Sequence, residues 1–276
     1  MIKGLTRAGL GWTGSDEELI RKAAEYGFGA VDTDAKALIG ALGAEGASGL
    51  LAETGVAIGA INLPVEWRRT DADFRQGLPA LAESAAAAAS LGCTRCITWI
   101  MPSTDLPAAP LMAQAVYRFR VCAEILGAYG LRLGLEFVGP HHARTARKNP
   151  FIWTAEETLE LIAAIGLPNV GMLIDSYHCH TTGFGPERLE RLSGEQIVHV
   201  HINDARDLPV EELRDNDRLY IGEGVIDLKG FLQALKKTGY DGPVAQEVLT
   251  PQPPSDSTDE LLKRTKAGFD RLFAEL

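Results

Sequence analysis

Four apolar runs in the second half of the chain each end on a side chain that binds metal ions: Glu136 in LRLGLEF, Asp175 in VGMLID, His201 in IVHVHI and Glu247 in PVAQEV. Three carboxylates and an imidazole form a ligand set for a divalent cation, and oxygen-rich ligation favours Mn2+ or Mg2+ over a structural Zn2+. Successive members lie 39, 26 and 46 residues apart, room in each interval for a helix and its connections. If the runs are consecutive parallel strands, right-handed crossovers carry all four ends to one rim of the sheet. That rim is where β/α barrels keep their active sites. Strand alternation puts Gly134 with Glu136, Leu173 with Asp175, His199 with His201 and Ala245 with Glu247 on shared faces. The small Gly134 and Ala245 are expected to leave room for an ion.

The elements that must position these residues follow from hydrophobic period. Strands are expected near 3–9, 28–33, 56–62, 95–101, 131–138, 170–175, 197–203 and 243–249, with helices over 16–26, 36–54, 72–91, 111–129, 154–165, 186–193, 228–238 and 257–275. Ser15 with Glu18 three residues on reads as a capping box. Eight strands alternating with eight helices predict an α/β fold, a single (β/α)8 TIM barrel, and 276 residues suit one such domain over 1–276. The competing architecture is an open doubly wound sheet. Gly9–Gly14 (GLGWTG) fits the G-x-G-x-x-G spacing and Asp32 ends the second strand, but Asp16, Glu17 and Glu18 would repel a pyrophosphate from the helix that follows. An ordinary glycine-rich turn is expected there.

Composition bounds the partners. Hydrophobic residues make up 46% and charged residues 23%, and no segment approaches a membrane span or a signal peptide, so a cytoplasmic protein is expected. A net charge of −10 opposes a surface that neutralises phosphates, so nucleic acid is not an expected partner. The partner expected is a small carbohydrate-like molecule, with a homo-oligomer left open. Cys93, Cys96, Cys122 and Cys179 are too few and scattered for a disulfide framework. The C-x-x-C of Cys93 and Cys96 has no second pair to complete a zinc site and reads as buried, inert thiols.

LGLEF, MLIDSYHCH, HVHINDARD and GEGVIDLKGFLQALKKTGYDGPVAQEV together resemble the xylose-isomerase-like TIM-barrel superfamily, which includes ketose 3-epimerases, hydroxypyruvate isomerase, inosose dehydratase, 3-dehydroshikimate dehydratase and endonucleases of the endonuclease IV type. The resemblance implies that Glu136, Asp175, His201 and Glu247 hold the metal, Mn2+ foremost, with Mg2+, Co2+ or Zn2+ as alternatives. It also implies that Glu136 and Glu247 face one another across the metal as proton-transfer groups, that His178 contacts substrate oxygens, and more loosely that Arg206 binds substrate. His142 stands where ketose epimerases carry a further glutamate, a departure from that activity's pattern. The endonuclease reading fails because its zinc cluster needs histidines from early strands, whereas all six histidines here lie between 141 and 201.

Further pocket candidates come from the residues themselves. Asn62 ends AIGAIN and could bond a hydroxyl; Trp99 ends CITW and could stack on a sugar ring. The long basic and aromatic loop GPHHARTARKNPFIW offers His141, His142, Arg144, Arg147 and Lys148 as a cover for the site and a source of cations. Glu223 in GEGVID is a weaker candidate. The expected activity is a divalent-metal-dependent sugar isomerase or epimerase working on a ketose or related hydroxy-ketone through a metal-stabilised enediolate. A lyase or dehydratase acting on a keto-inositol, dehydroshikimate or 3-keto-sugar at the same site is the alternative.

Overall fold

Helix starts in this chain are written in its polar residues. Ser15, Thr70, Thr154 and Ser257 each accept a hydrogen bond from the backbone three residues on, and Glu18, Asp73, Glu157 and Glu260 in turn accept one from the backbone N–H of the cap. The computed structural model describes residues Met1–Leu276. Its parallel strands are β1 (Ile2–Leu5), β2 (Ala30–Val31), β3 in two pieces (Ala57–Ile58 and Ile61–Asn62), β4 (Arg95–Trp99), β5 (Arg132–Glu136), β6 (Val170–Asp175), β7 (Ile197–Ile202) and β8 (Pro243–Gln246). Neighbours in sequence are neighbours in space, and β1 pairs with both β2 and β8. The two pieces of β3 pair with β2 on one side and β4 on the other, which closes the sheet. The chain is a TIM barrel, as its alternation predicts, and not an open doubly wound sheet.

Most of the core lies between the barrel and its helices, where 60 buried residues form one cluster. A separate small cluster of Ala60, Ile97 and Leu173 comes from β3, β4 and β6. The small residues expected to make room for an ion serve packing instead. A Cβ at Gly134 would lie 3.2 Å from Ile97 and Val198, and Ala245 fills the space above Gly4, where a Cβ would lie 3.2 Å from it.

Two of the differences from the sequence expectation shape the rim. The first strand stops at Leu5 rather than at residue 9. The following segment turns over the rim through Gly9, which has φ 75° and whose Cβ would come within 2.7 Å of Val248. After β6 a helix, Ser176–Thr182, starts directly on Asp175, ahead of the short turn Pro186–Leu189. That helix is hidden from a periodicity search because Ser176, Tyr177, His178, Cys179 and Thr181 are all buried, leaving no amphipathic pattern.

On the rim that carries Glu136, Ser103–Thr104 pairs antiparallel with Asn149–Pro150 and ties the 139–153 loop to the segment after β4. Ser103 donates to the Ala143 carbonyl (2.7 Å) and Asn149 to that of Leu106 (2.9 Å). All four cysteines are free and buried, and burial pushes the Cys93 thiol up to about 11, the state of an unreactive thiol. No helix is long and apolar enough to cross a membrane.

Candidate metal centre

The strand register brings the four ligand-type residues to one point. His201 sits opposite Asp175 on β6 and Ala245 on β8, while the backbone N–H of Glu247 donates to Ile202. Glu136 ends β5 opposite Leu173. One ligand atom from each of Glu136, Asp175, His201 and Glu247 lies within 4.8 Å of all the others. His201 Nδ1 is 3.4 Å from Glu247 Oε2 and 3.8 Å from Glu136 Oε1. That nitrogen and Glu136 Oε1 are both buried without a hydrogen-bond partner. Buried polar atoms that face one another unbonded are costly unless a positive charge binds them, so this donor set fits a divalent cation.

The electrostatics agree. Burial pushes the Glu136 carboxyl above its usual range, against the pull of His201 and His178. Burial acts the same way on Glu247, but His201 and Arg218 reverse it and hold that carboxyl well below the usual range. Burial opposes a charge on His201, yet Glu247, Asp32 and Glu136 outweigh it and raise the imidazole well above its ordinary value. Asp175 is anchored by hydrogen bonds: Oδ1 caps the helix after β6 by accepting from the N–H of Tyr177 (2.7 Å) and of His178 (3.2 Å). Its Oδ2 accepts from Asn203 (3.0 Å) and Arg218 (3.1 Å).

Arg218 is the residue the sequence concealed. Its side chain is 1% exposed, and it donates to Asp175, to Glu247 Oε2 (2.9 Å) and to Asp215 Oδ1 (2.7 Å). The loop that carries it is organised by Asp204, whose carboxylate accepts from the backbone of Ala205, Gly222, Gly224 and Ile226. Arg218 and Asp215 belong to a rim loop with no hydrophobic period, so only the rich Asp and Arg content of DARDLPVEELRDNDR hints at them.

A cavity of about 750 Å³ opens over the centre, lined among others by Glu136, Glu247, His178, Trp99, Arg218 and Arg147. Trp99 lies opposite Glu136 in register and is 45% exposed. His178 accepts from the Gly139 N–H at Nδ1 (3.4 Å), and its Nε2 lies 3.5 Å from Arg218, 3.8 Å from Glu136 and 3.9 Å from Asp215. Asn62 faces a second pocket of about 380 Å³, with Asp32, His201 and Glu247. The centre therefore lies between two spaces. Other candidates fall outside them. Arg206 forms a two-pronged bond with Asp217 (2.9 and 2.8 Å) and lines neither space. Arg144 stacks on Trp153 at 4.2 Å. His142 is half-buried beside the cavity without lining it. Of the loop, Ala143, Ala146 and Arg147 do line the cavity, with Arg147 paired to Asp105 at 2.7 Å. Glu223 is held by Arg264 away from the centre.

Comparison with known proteins bears on the family and fold. The family model for the xylose isomerase-like TIM barrel matches residues 20–268. An inosose isomerase of Bacillus velezensis is 35% identical over 153 residues, 55% of this chain and 52% of that protein. The match thus spans about half the length of that relative. A 3-dehydroshikimate dehydratase of Pseudomonas putida is 29% identical over 132 residues, 47% of this chain and 19% of that protein. The structure of a xylose isomerase domain protein from Alicyclobacillus acidocaldarius subsp. acidocaldarius superposes with a TM-score of 0.92 at 33% identity, covering 100% of this chain and 99% of that one.

Proposed function

The chain belongs to the xylose isomerase-like TIM-barrel family, and from that premise we propose that it is a divalent-cation-dependent isomerase or epimerase of a ketose or related cyclic hydroxy-ketone. The observation that carries this reading is the convergence of Glu136, Asp175, His201 and Glu247 within 4.8 Å at the floor of a cavity of about 750 Å³. When bound, a divalent cation such as Mn2+ or Zn2+ supplies Lewis-acid polarisation of adjacent carbonyl and hydroxyl oxygens and acidifies the C–H between them. The protein's own groups do the rest. Glu136 and Glu247 stand on β5 and after β8 and exchange the proton. Burial raises the first and His201 with Arg218 lowers the second, so the two carboxyls differ in basicity and Glu136 is the stronger base of the pair. Trp99 offers an apolar face, while the His178 imidazole and the Arg218 guanidinium offer hydrogen-bonding groups to substrate hydroxyls.

A lyase reading is favoured by one feature, the His178–Asp215 pair at 3.9 Å beside Arg218, which places a proton donor where a hydroxyl could leave. The similarity to a dehydratase points the same way. Solvent-deuterium incorporation, read by mass across ketoses, keto-inositols and dehydroshikimate with added Mn2+, tests both. Exchange at a carbon next to a carbonyl, seen as the mass gain of deuterium for hydrogen without loss of water, supports isomerase chemistry, and loss of water with an unsaturated product supports the lyase. No exchange on any member of the panel refutes proton abstraction by this centre.

A further inference from the structure

Asp32, at the end of β2, reaches two histidines of β7. A single oxygen, Oδ2, lies 2.8 Å from His199 Nε2 and 3.2 Å from His201 Nε2. The two rings are nearly perpendicular, with centroids 5.2 Å apart. An imidazole has two nitrogens, and the hydrogen bond made by one decides which lone pair the other presents. With Nε2–H given to Asp32, His201 turns Nδ1 to Glu136 and Glu247, and that nitrogen is the one left buried without a partner. His199 is fully buried, its Nδ1 also lacks a partner, and its side-chain hydrogen bond goes to Asp32.

Position 59 bears on the same contact. A Cβ there would lie 2.4 Å from Asp32 Oδ1 and 3.5 Å from His199 Cε1. Gly59 is not among the glycines with positive φ, so space and not backbone conformation excludes a side chain.

We propose that Asp32 is a positioning residue for the cation centre: it fixes the ring of His201 so that Nδ1 faces the carboxylates, His199 holds Asp32, and Gly59 provides the space that Asp32 occupies. The inference rests on the reading of Glu136, Asp175, His201 and Glu247 as that centre. Asp32, His199 and His201 also have the composition of a second ion site. Oδ2, however, lies 2.8 and 3.2 Å from the two Nε2 atoms, the contacts of a carboxylate accepting from imidazole N–H groups, and the titration below separates that arrangement from a second ion.

The test is calorimetric titration of Mn2+ into metal-free full-length protein, with folding of each variant followed by circular dichroism. Wild type should bind one Mn2+, and His201→Ala should weaken it strongly. Asp32→Ala should lose roughly 10–100-fold in affinity, the usual effect of removing a carboxylate behind a metal-binding histidine. Gly59→Ala, which displaces Asp32 while removing no polar group, should lose affinity in the same direction. Asp32→Asn keeps an oxygen acceptor and should fall between wild type and Asp32→Ala. If Asp32→Ala does not fold, Gly59→Ala and Asp32→Asn decide the question. Folded variants that all bind Mn2+ within about threefold of wild type overturn the positioning role, since orientation by a neighbour is worth more than that. Two Mn2+ in wild type and one in Asp32→Ala overturn it in favour of a second ion. If wild type binds no Mn2+, or His201→Ala binds as well as wild type, the cation centre itself falls and the positioning role with it.

Discussion

Replacing Arg218 with methionine removes a cation and keeps most of the side-chain volume. Arg218 is 1% exposed and touches Asp175 (3.1 Å), Glu247 (2.9 Å) and Asp215 (2.7 Å), with Asp175 wholly buried. Breaking a buried ionic network by deleting one partner costs about 3–5 kcal/mol, because the remaining charges keep their desolvation penalty without the attraction that offset it. In domains of 150–250 residues each kcal/mol moves Tm by about 2–4 °C, so metal-free Arg218→Met should melt roughly 6–20 °C below wild type. A divalent cation among Glu136, Asp175, His201 and Glu247 replaces part of the lost positive charge. Saturating Mn2+ should therefore raise Tm more in the variant than in wild type and narrow the gap. Adding Asp215→Asn, which removes one of the stranded charges, should recover part of the metal-free loss. Scanning calorimetry in EDTA and in MnCl2 reads all of this. A metal-free variant melting within about 2 °C of wild type would refute the network as a source of stability. A gap that Mn2+ leaves unchanged would refute the electrostatic link between Arg218 and the metal centre.

Two further outcomes follow. Glu136→Gln and Glu247→Gln should each retain an oxygen for the metal yet lose about 10²–10⁴-fold in kcat on whichever substrate exchanges deuterium, and near-native turnover at saturating Mn2+ would move attention to His178. His201 provides the pH signature. Burial opposes its charge, but Glu247, Asp32 and Glu136 raise its pKa in the metal-free fold. Stability from the imidazolium is thus fully present below its ordinary value of about 6.5 and is lost as pH rises through the raised folded value. A cation needs Nδ1 bare, so Mn2+ affinity should weaken as pH falls through that window, by about tenfold per pH unit for each proton displaced. Titrations at pH 7 in buffers of different ionisation enthalpy should show release of at least about one proton, and no release would show that the cation does not bind at His201 Nδ1.

The barrel and the four converging residues were legible because both are periodic. A strand in a β/α barrel is a short apolar run with a helix-length interval after it, and a polar side chain at its end stands out against that run. Glu136, Asp175, His201 and Glu247 are such side chains, and parallel topology brings them together without knowledge of any loop. Asp32 had the same signal, ending an apolar run. From sequence it enters only the nucleotide-binding pattern with GLGWTG, which yields to an ordinary turn and leaves Asp32 without a role, because the chain does not show that β2 closes against β1 and looks across at β7. The rim loops follow no period. Arg206 and Arg218 both follow His201, and only the fold of the intervening segment, gathered by Asp204 onto the backbone at 222–226, puts Arg218 inward and leaves Arg206 paired with Asp217. Gly134 and Ala245 carry the same lesson. Smallness in a strand marks a close approach, and what approaches there is Ile97, Val198 and Gly4 rather than an ion. Where side-chain direction is set by alternation the sequence suffices; where it is set by which backbone a buried carboxylate gathers, it does not.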